Sequence, residues 1–161
     1  MTARRMLDDK VGRALVHMIR RAEEAQERAA RQRGMHPTDF RCIAYLVSQG
    51  APVSPKDVIA YLGLTSGSGT ALLDRLEAAG FIKRIPNPDD RRSVLIVLDA
   101  EAAAEPVALL ERIQEKYLAA TAELSDENLE AIALYLGRIE ALSEEMSAAL
   151  YDDIRPFSAA S

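Results

Sequence analysis

Between residues 65 and 92 the chain gathers short hydroxyls and positive charge in a dense order. Thr65, Ser66, Ser68 and Thr70 alternate with Gly67 and Gly69, and Arg75, Lys83, Arg84 and the run Asp90-Arg91-Arg92 follow. Short hydroxyls hydrogen-bond to base edges or phosphate oxygens, and guanidinium forks match phosphate geometry, so this pattern suits recognition of a polyanion rather than bond making. Motifs for catalysis are missing: there is no nucleophile elbow, no zinc spacing and no carboxylate pair in a plausible cleft. TSGSGT lacks the lysine of a phosphate-binding loop. The two histidines, His17 and His36, have no second ligand four residues away. The expectation is therefore no catalytic residue, no metal and no cofactor.

The elements that must position these groups are written locally. Ser54-Pro55 predicts a helix start, with a hydroxyl to cap free amides and a proline where no donor is needed. That helix runs to about Leu62 and stops at Gly63. Thr65 or Ser66 caps a second helix whose Leu72, Leu73 and Leu76 share one face. Gly80 ends it, and Phe81 folds back on its last turn. The opposite face carries Ser66, Gly67, Thr70, Ala71 and Asp74, with Ser68 and Arg75 at its margins. Two helices joined by a short glycine-containing turn are the arrangement that places a second helix in a DNA major groove. Gly67 and Gly69 each cost about 1 kcal/mol against alanine in a helix, which calls for either close backbone approach to DNA or a frayed first turn. Beyond Phe81, Ile82–Ile85 and the β-branched run Ser93–Leu98 predict a hairpin around the turn Asn87-Pro88-Asp89-Asp90. Its loop holds Arg91 and Arg92, and Asp90 is placed to orient the Arg92 guanidinium. Val53 is expected to add a brief third strand.

The run LGLTSGSGTALLDRLEAAGFIKRIPNPDDRRSVLIVL resembles the winged helix-turn-helix of the multiple antibiotic resistance regulator (MarR) family. The likeness is carried by the LGL turn, the DRLE-x-x-G-F-I end of the second helix, Lys83-Arg84, and Asp90-x-Arg92 before an apolar strand. It implies that the second helix reads the major groove through Ser66, Ser68 and Thr70, and that Arg92 enters the minor groove. It further implies a homodimeric, sequence-specific transcriptional regulator, more often a repressor, relieved by a small molecule held between the arms and the winged domain. His17, Arg20, Arg41 and Tyr45 lie on helices bordering that family's pocket.

A net charge of −5 argues against a nucleic-acid partner until its distribution is considered. Residues 1–53 carry 10 bases against 6 acids, residues 54–98 carry 6 against 5, and residues 99–161 carry 4 against 14. Attraction follows the local patch, and Lys83, Arg84, Arg91 and Arg92 cluster on the hairpin. No apolar run approaches the ~20 residues of a membrane span, and MTARRMLDDK lacks the apolar core of a signal peptide, so a cytoplasmic protein with no membrane partner is expected. Cys42, the single cysteine, excludes an intrachain disulfide and falls on an amphipathic helix as a core residue.

The flanks are helical arms. Leu7, Val11, Leu15, Met18 and Ile19 recur at three and four within a helix over about 6–33, opposite a face rich in arginine. A helix over about 100–122 carries Pro106 near its start. Ser125-Asp126-Glu127 restarts a last helix with the stripe Leu129, Ile132, Leu136, Ile139, Leu142, Met146 and Leu150. These stripes exceed what a winged domain covers, so a second copy is the economical partner, and a two-fold axis would set two recognition helices on a pseudo-palindromic operator. The fold class is mainly α with a small β-hairpin wing. The division is a scaffold and dimerisation helix over 1–34, a winged helix-turn-helix over 35–98 and a dimerisation arm over 99–161. The acidic total and the small residues of the recognition helix keep an alternative open: a winged-helix protein-interaction module without DNA binding.

Overall fold

The computed structural model describes residues 2–154, with side chains over residues 2–146. The chain divides into two compact units between Arg112 and Ile113. In the first, helix α1 (Ala3–Gln32) starts on Thr2, whose hydroxyl accepts from the Arg5 amide. Helix α2 (Pro37–Gln49) is capped by the His36 imidazole, whose Nδ1 accepts from the Thr38 amide. Proline occupies its first turn, where no donor is lost. Helix α3 (Pro55–Leu62) begins at Ser54, which takes the Asp57 amide and donates its own hydroxyl to the Asp57 carboxylate at 2.7 Å. Gly63, at φ +66°, ends it in the left-handed conformation that a Cβ disfavours, and Leu64 donates back to Ile59. Helix α4 (Ser66–Ala78) is capped by Thr65, which accepts from the Ser68 amide. Gly80, at φ +82°, closes α4 while Phe81 donates to the Leu76 carbonyl.

Strands β1 (Ile82–Pro86) and β2 (Val94–Leu98) pair antiparallel, with Arg84 opposite Ile96. Val53 bridges Ile96 from the far side, donating at 3.0 Å and accepting at 2.7 Å. Residue Ile96 is thus the meeting point of three backbone segments, and its side chain is fully buried. Around it pack Ile43, Leu46, Val58, Leu72, Leu73, Leu76 and Ile82, one apolar cluster from α2, α3, α4 and the hairpin. Fully burying each such side chain contributes about 1.5–3 kcal/mol, which is what holds a 13-residue helix of modest propensity such as α4 in place.

After β2 the chain departs from the pattern reading. Helix α5 (Ala104–Ala119) starts four residues later than expected, because Asp99 captures the amides of Glu101 and Ala102 and turns the chain first. Pro106 then lies in the first turn; its ring would collide with the carbonyl of Ala102 if the helix began earlier. In the second unit, Ser125 caps helix α6 (Asp126–Ile154) by accepting from the Asn128 amide. Ile132, Leu136, Leu142 and Met146 are exposed, whereas Leu129 and Ile139 are half-buried. Leu150 belongs to α6, but its side chain lies outside the described residues. No described helix is long and apolar enough to cross a membrane.

Candidate nucleic-acid interface

The tip of α4 is an exposed row of small polar groups. Ser66, Gly67, Ser68 and Thr70 face solvent, as does the cap Thr65. Thr70 donates to the Ser66 carbonyl at 2.9 Å, and Thr65 donates to the Ser68 hydroxyl at 3.0 Å, so the hydroxyls are held close to the helix. The two glycines separate in role. A Cβ on Gly67 would meet nothing within 4 Å, leaving the backbone open to a ligand. A Cβ on Gly69 would lie 2.2 Å from Cγ1 of Ile59, so this glycine is buried and lets α3 and α4 touch. Its cost in helix propensity is offset by internal packing, not by DNA.

At the wing, Asp90 does not orient the Arg92 guanidinium as expected. Its carboxylate accepts from the Arg92 backbone amide at 2.9 Å, and Ser93 donates to the Asp90 carbonyl. The tip is thereby folded into a tight turn that leaves both arginine side chains outward. Asn87 braces its base, donating to Ser93 Oγ at 3.0 Å. Among the described residues, Arg91 and Arg92 make no ion pair.

The other expected bases are engaged within the chain. Arg75 reaches from α4 to the buried Asp39 on α2, donating through Nε to both carboxylate oxygens at 3.1 and 3.2 Å and through a terminal nitrogen as well. The hydrogen bond with Asp39 raises the Arg75 pKa further above its already high value. Lys83 lies 2.5 Å from Asp99, whose carboxyl is held below its usual 3.8, first by the Ala102 amide and then by Lys83. Arg84 forks between Asp74, at 2.6 Å, and Glu77. Asp39, Glu77 and Asp99 are the neighbours that pattern reading passed over, and Asp74, read there only as part of the outward face, is a partner of Arg84. Asp39 and Arg75 stand 36 positions apart, so no local spacing could announce them.

The residues expected to border an effector pocket are scattered. His17 and Arg20 line an open concavity of about 250 Å³ on α1 with Arg21 and Glu24. Arg41 is exposed on α2, and Tyr45 is buried there, stacked on Tyr61 with ring centroids 4.0 Å apart. A separate apolar hollow of about 350 Å³ lies between the end of α2, β2 and Val107. Cys42 is fully buried, and burial pushes its thiol up to about 12, with Asp39 adding to the effect. A thiolate, the reactive form, is scarce there at neutral pH. No cluster of metal-ligating side chains occurs among the described residues.

Comparison with known proteins gives this geometry a family. Residues 33–93 match the model described as MarR family. The HTH-type transcriptional regulator YcgE of Bacillus subtilis is 33% identical over 117 residues, 73% of this chain and 75% of that protein. The chain belongs to the MarR family. Two solved structures have the same fold as this MarR-family chain. The transcription regulator MarR from Oenococcus oeni superposes at a TM-score of 0.59 with 20% identity, over 81% of this chain and 98% of its own. The transcriptional regulator Tm0710 of Thermotoga maritima gives 0.53 with 26% identity, over 87% and 98%. YcgE and Tm0710 are described as transcriptional regulators, and the likeness to the Oenococcus oeni structure is one of fold.

Proposed function

We propose that the chain is a homodimeric, sequence-specific DNA-binding repressor, cytoplasmic, acting on a pseudo-palindromic operator and relieved by a small-molecule effector. The observation that carries this reading is the pairing, on one compact unit, of an exposed hydroxyl-lined helix tip with a braced wing whose Arg91 and Arg92 side chains form no ion pair among the described residues. Ser66, Ser68 and Thr70 meet base edges or phosphates in the major groove, and the open backbone at Gly67 allows close approach. Arg92 enters the minor groove, where narrow A·T-rich stretches concentrate negative potential. The exposed apolar residues of α1 and α6, including Val11 and Ile132, support a second copy as partner, which would place two tips about 34 Å apart. An effector relieves repression by binding one spacing of the tips better than the other.

Salt dependence tests the reading. With Arg75, Lys83 and Arg84 engaged internally, the exposed Lys56 of α3 and Arg91 and Arg92 of the wing remain to neutralise phosphate charge on each protomer. Log affinity for a duplex from the chain's own upstream region is expected to fall against log salt with a slope of about −5.4 for six contacts per dimer, from about −0.9 per phosphate. The internal engagement of three bases also favours the interaction-module alternative. Negligible binding to that duplex at low salt would establish the alternative and end the repressor reading.

A further inference from the structure

Arg84 stands where the recognition helix and the wing join. It shares a strand face with the buried Ile82, so its side chain leaves β1 toward α4. There Asp74 and Glu77, three residues apart on one helix face, each take one terminal nitrogen of its guanidinium, Asp74 at 2.6 Å. Two-point attachment through a planar fork restricts rotation as well as distance, which a lysine cannot do. Directly across the hairpin from Arg84 is Ile96, the residue where three backbone segments meet. The fork therefore ties α4 to the most firmly seated part of the sheet.

The lengths on either side make this a lever. From Asp74 back to Ser66 is about 12 Å of helix at ~1.5 Å per residue. From Ile96 out to Arg92 is about 13 Å of strand and turn at ~3.3 Å per residue. A swing of about 10° at the junction moves either tip by roughly 2 Å over such lengths, more than a hydrogen bond tolerates. Resting on the DNA-binding reading above, we propose that Arg84 is a positioning residue: its fork to Asp74 and Glu77 fixes the angle between α4 and the wing, so that one protomer engages a major groove and the adjacent minor groove together. The Asp74 and Glu77 side chains keep 60% and 40% of their surface in solvent, where ion pairing contributes little to folding, so the clamp acts on geometry more than on stability. It also neutralises Asp74, an acid on the helix face turned toward phosphates. A direct phosphate contact by Arg84 is the competing role, and it requires the fork to open.

The two roles separate experimentally because they assign opposite parts to the acids. The full chain is used to enrich duplexes from a random-sequence pool, and the grooves are then probed independently. Guanine N7 methylation reports the major groove, and hydroxyl-radical protection that disappears in Arg92→Ala reports the wing. Arg84→Gln and the double variant Asp74→Asn/Glu77→Gln are each expected to lose wing protection and keep N7 protection, with affinity about tenfold weaker and a near-unchanged melting temperature. Arg84→Lys, which holds one acid, is expected to fall between. Retention of both protections with tighter binding in the acid double variant would assign Arg84 to phosphate and overturn the clamp. Joint loss of both protections, or absence of Arg92-dependent protection in the unaltered chain, overturns it too. Should Arg84→Gln not fold, the acid double variant decides. Failure of the unaltered chain to enrich any duplex overturns the DNA reading itself, an outcome distinct from all of these.

Discussion

Around the hairpin, Leu72, Leu73, Leu76, Ile82 and Ile96 are at most 2% exposed, whereas along α6 Ile132, Leu136, Leu142 and Met146 keep between 41% and 63% of their surface. The same residue types serve two ends. In the winged unit the apolar face of every helix finds a neighbour within about 60 residues of sequence, so the core closes on itself. In α6, and along α1 at Leu7, Val11 and Met18, the stripe is regular but meets no comparable cover among the described residues. Regular apolar periodicity thus predicts that a face will be buried, without saying by which chain. The winged unit closes its own core, and the exposed stripes of the arms are what the proposed second copy would cover.

The largest effect should come from the closed side of this contrast. Leu72→Ala removes a side chain 2% exposed between α3, α4 and the sheet, and should cost about 2–5 kcal/mol, read as a lowered urea midpoint. Next comes the open side. Ile139→Glu with Met146→Lys should leave the winged unit's own unfolding within about 0.5 kcal/mol of the unaltered chain. Sedimentation should then show monomers, and operator affinity should fall by tenfold or more, about 1.4 kcal/mol per decade. Intact dimers after both changes would place the interface elsewhere and remove the contrast.

A third change probes how tightly the closed side is packed. Gly69→Ala should gain about 1 kcal/mol of helix propensity, yet its Cβ would sit 2.2 Å from Cγ1 of Ile59. Overpacking of that kind costs about 1–3 kcal/mol, so net destabilisation is expected. Ile59→Ala in the same chain should restore the α3 to α4 approach and reverse the sign of the alanine effect. Additive losses from the two substitutions in thermal melts would deny that the glycine exists for that approach.

Much of this was legible in the chain because its signals are local. The caps Ser54, Thr65 and Ser125, the stops Gly63 and Gly80, and the leucines of α4 each act within one or two turns, and the structure shows all of them in use. The likeness around Asp90-x-Arg92 fixed the wing for the same reason. What escaped was tertiary. Gly69 reads as a candidate for DNA approach until Ile59 of another helix is placed beside it. Arg75 and Arg84 read as exposed cations until α2 and α4 bring Asp39, Asp74 and Glu77 to them. The start of α5 was misplaced because four residues rich in alanine look helical, while the choice of Asp99 to turn the chain depends on what it meets after β2.

Asp99 supplies the smallest effect and the finest test of how the winged unit ends. Its carboxyl is held below the usual 3.8, first by the Ala102 amide and then by Lys83, and Lys83 is held above its usual 10.5 chiefly by the hydrogen bond to Asp99. A depressed carboxylate stabilises the fold above its unfolded value and loses that contribution as pH falls through its folded value. A raised lysine does so below its unfolded value and loses it as pH climbs through its own. The pair should therefore be at full strength between about pH 4 and pH 10, weakening on both sides of that window. Asp99→Asn keeps an acceptor for the Glu101 and Ala102 amides but removes the charge, so it should flatten the acid limb below pH 4 and lower the neutral plateau only by the height of that limb. Asp99→Ala removes the turn as well and should lower the plateau further. Urea midpoints against pH for the three chains separate the two contributions. An acid limb unchanged in Asp99→Asn would mean that Lys83 and Asp99 do not interact in solution, leaving Lys83 free to join Arg91 and Arg92 at the DNA and steepening the salt slope by about 2 for a dimer.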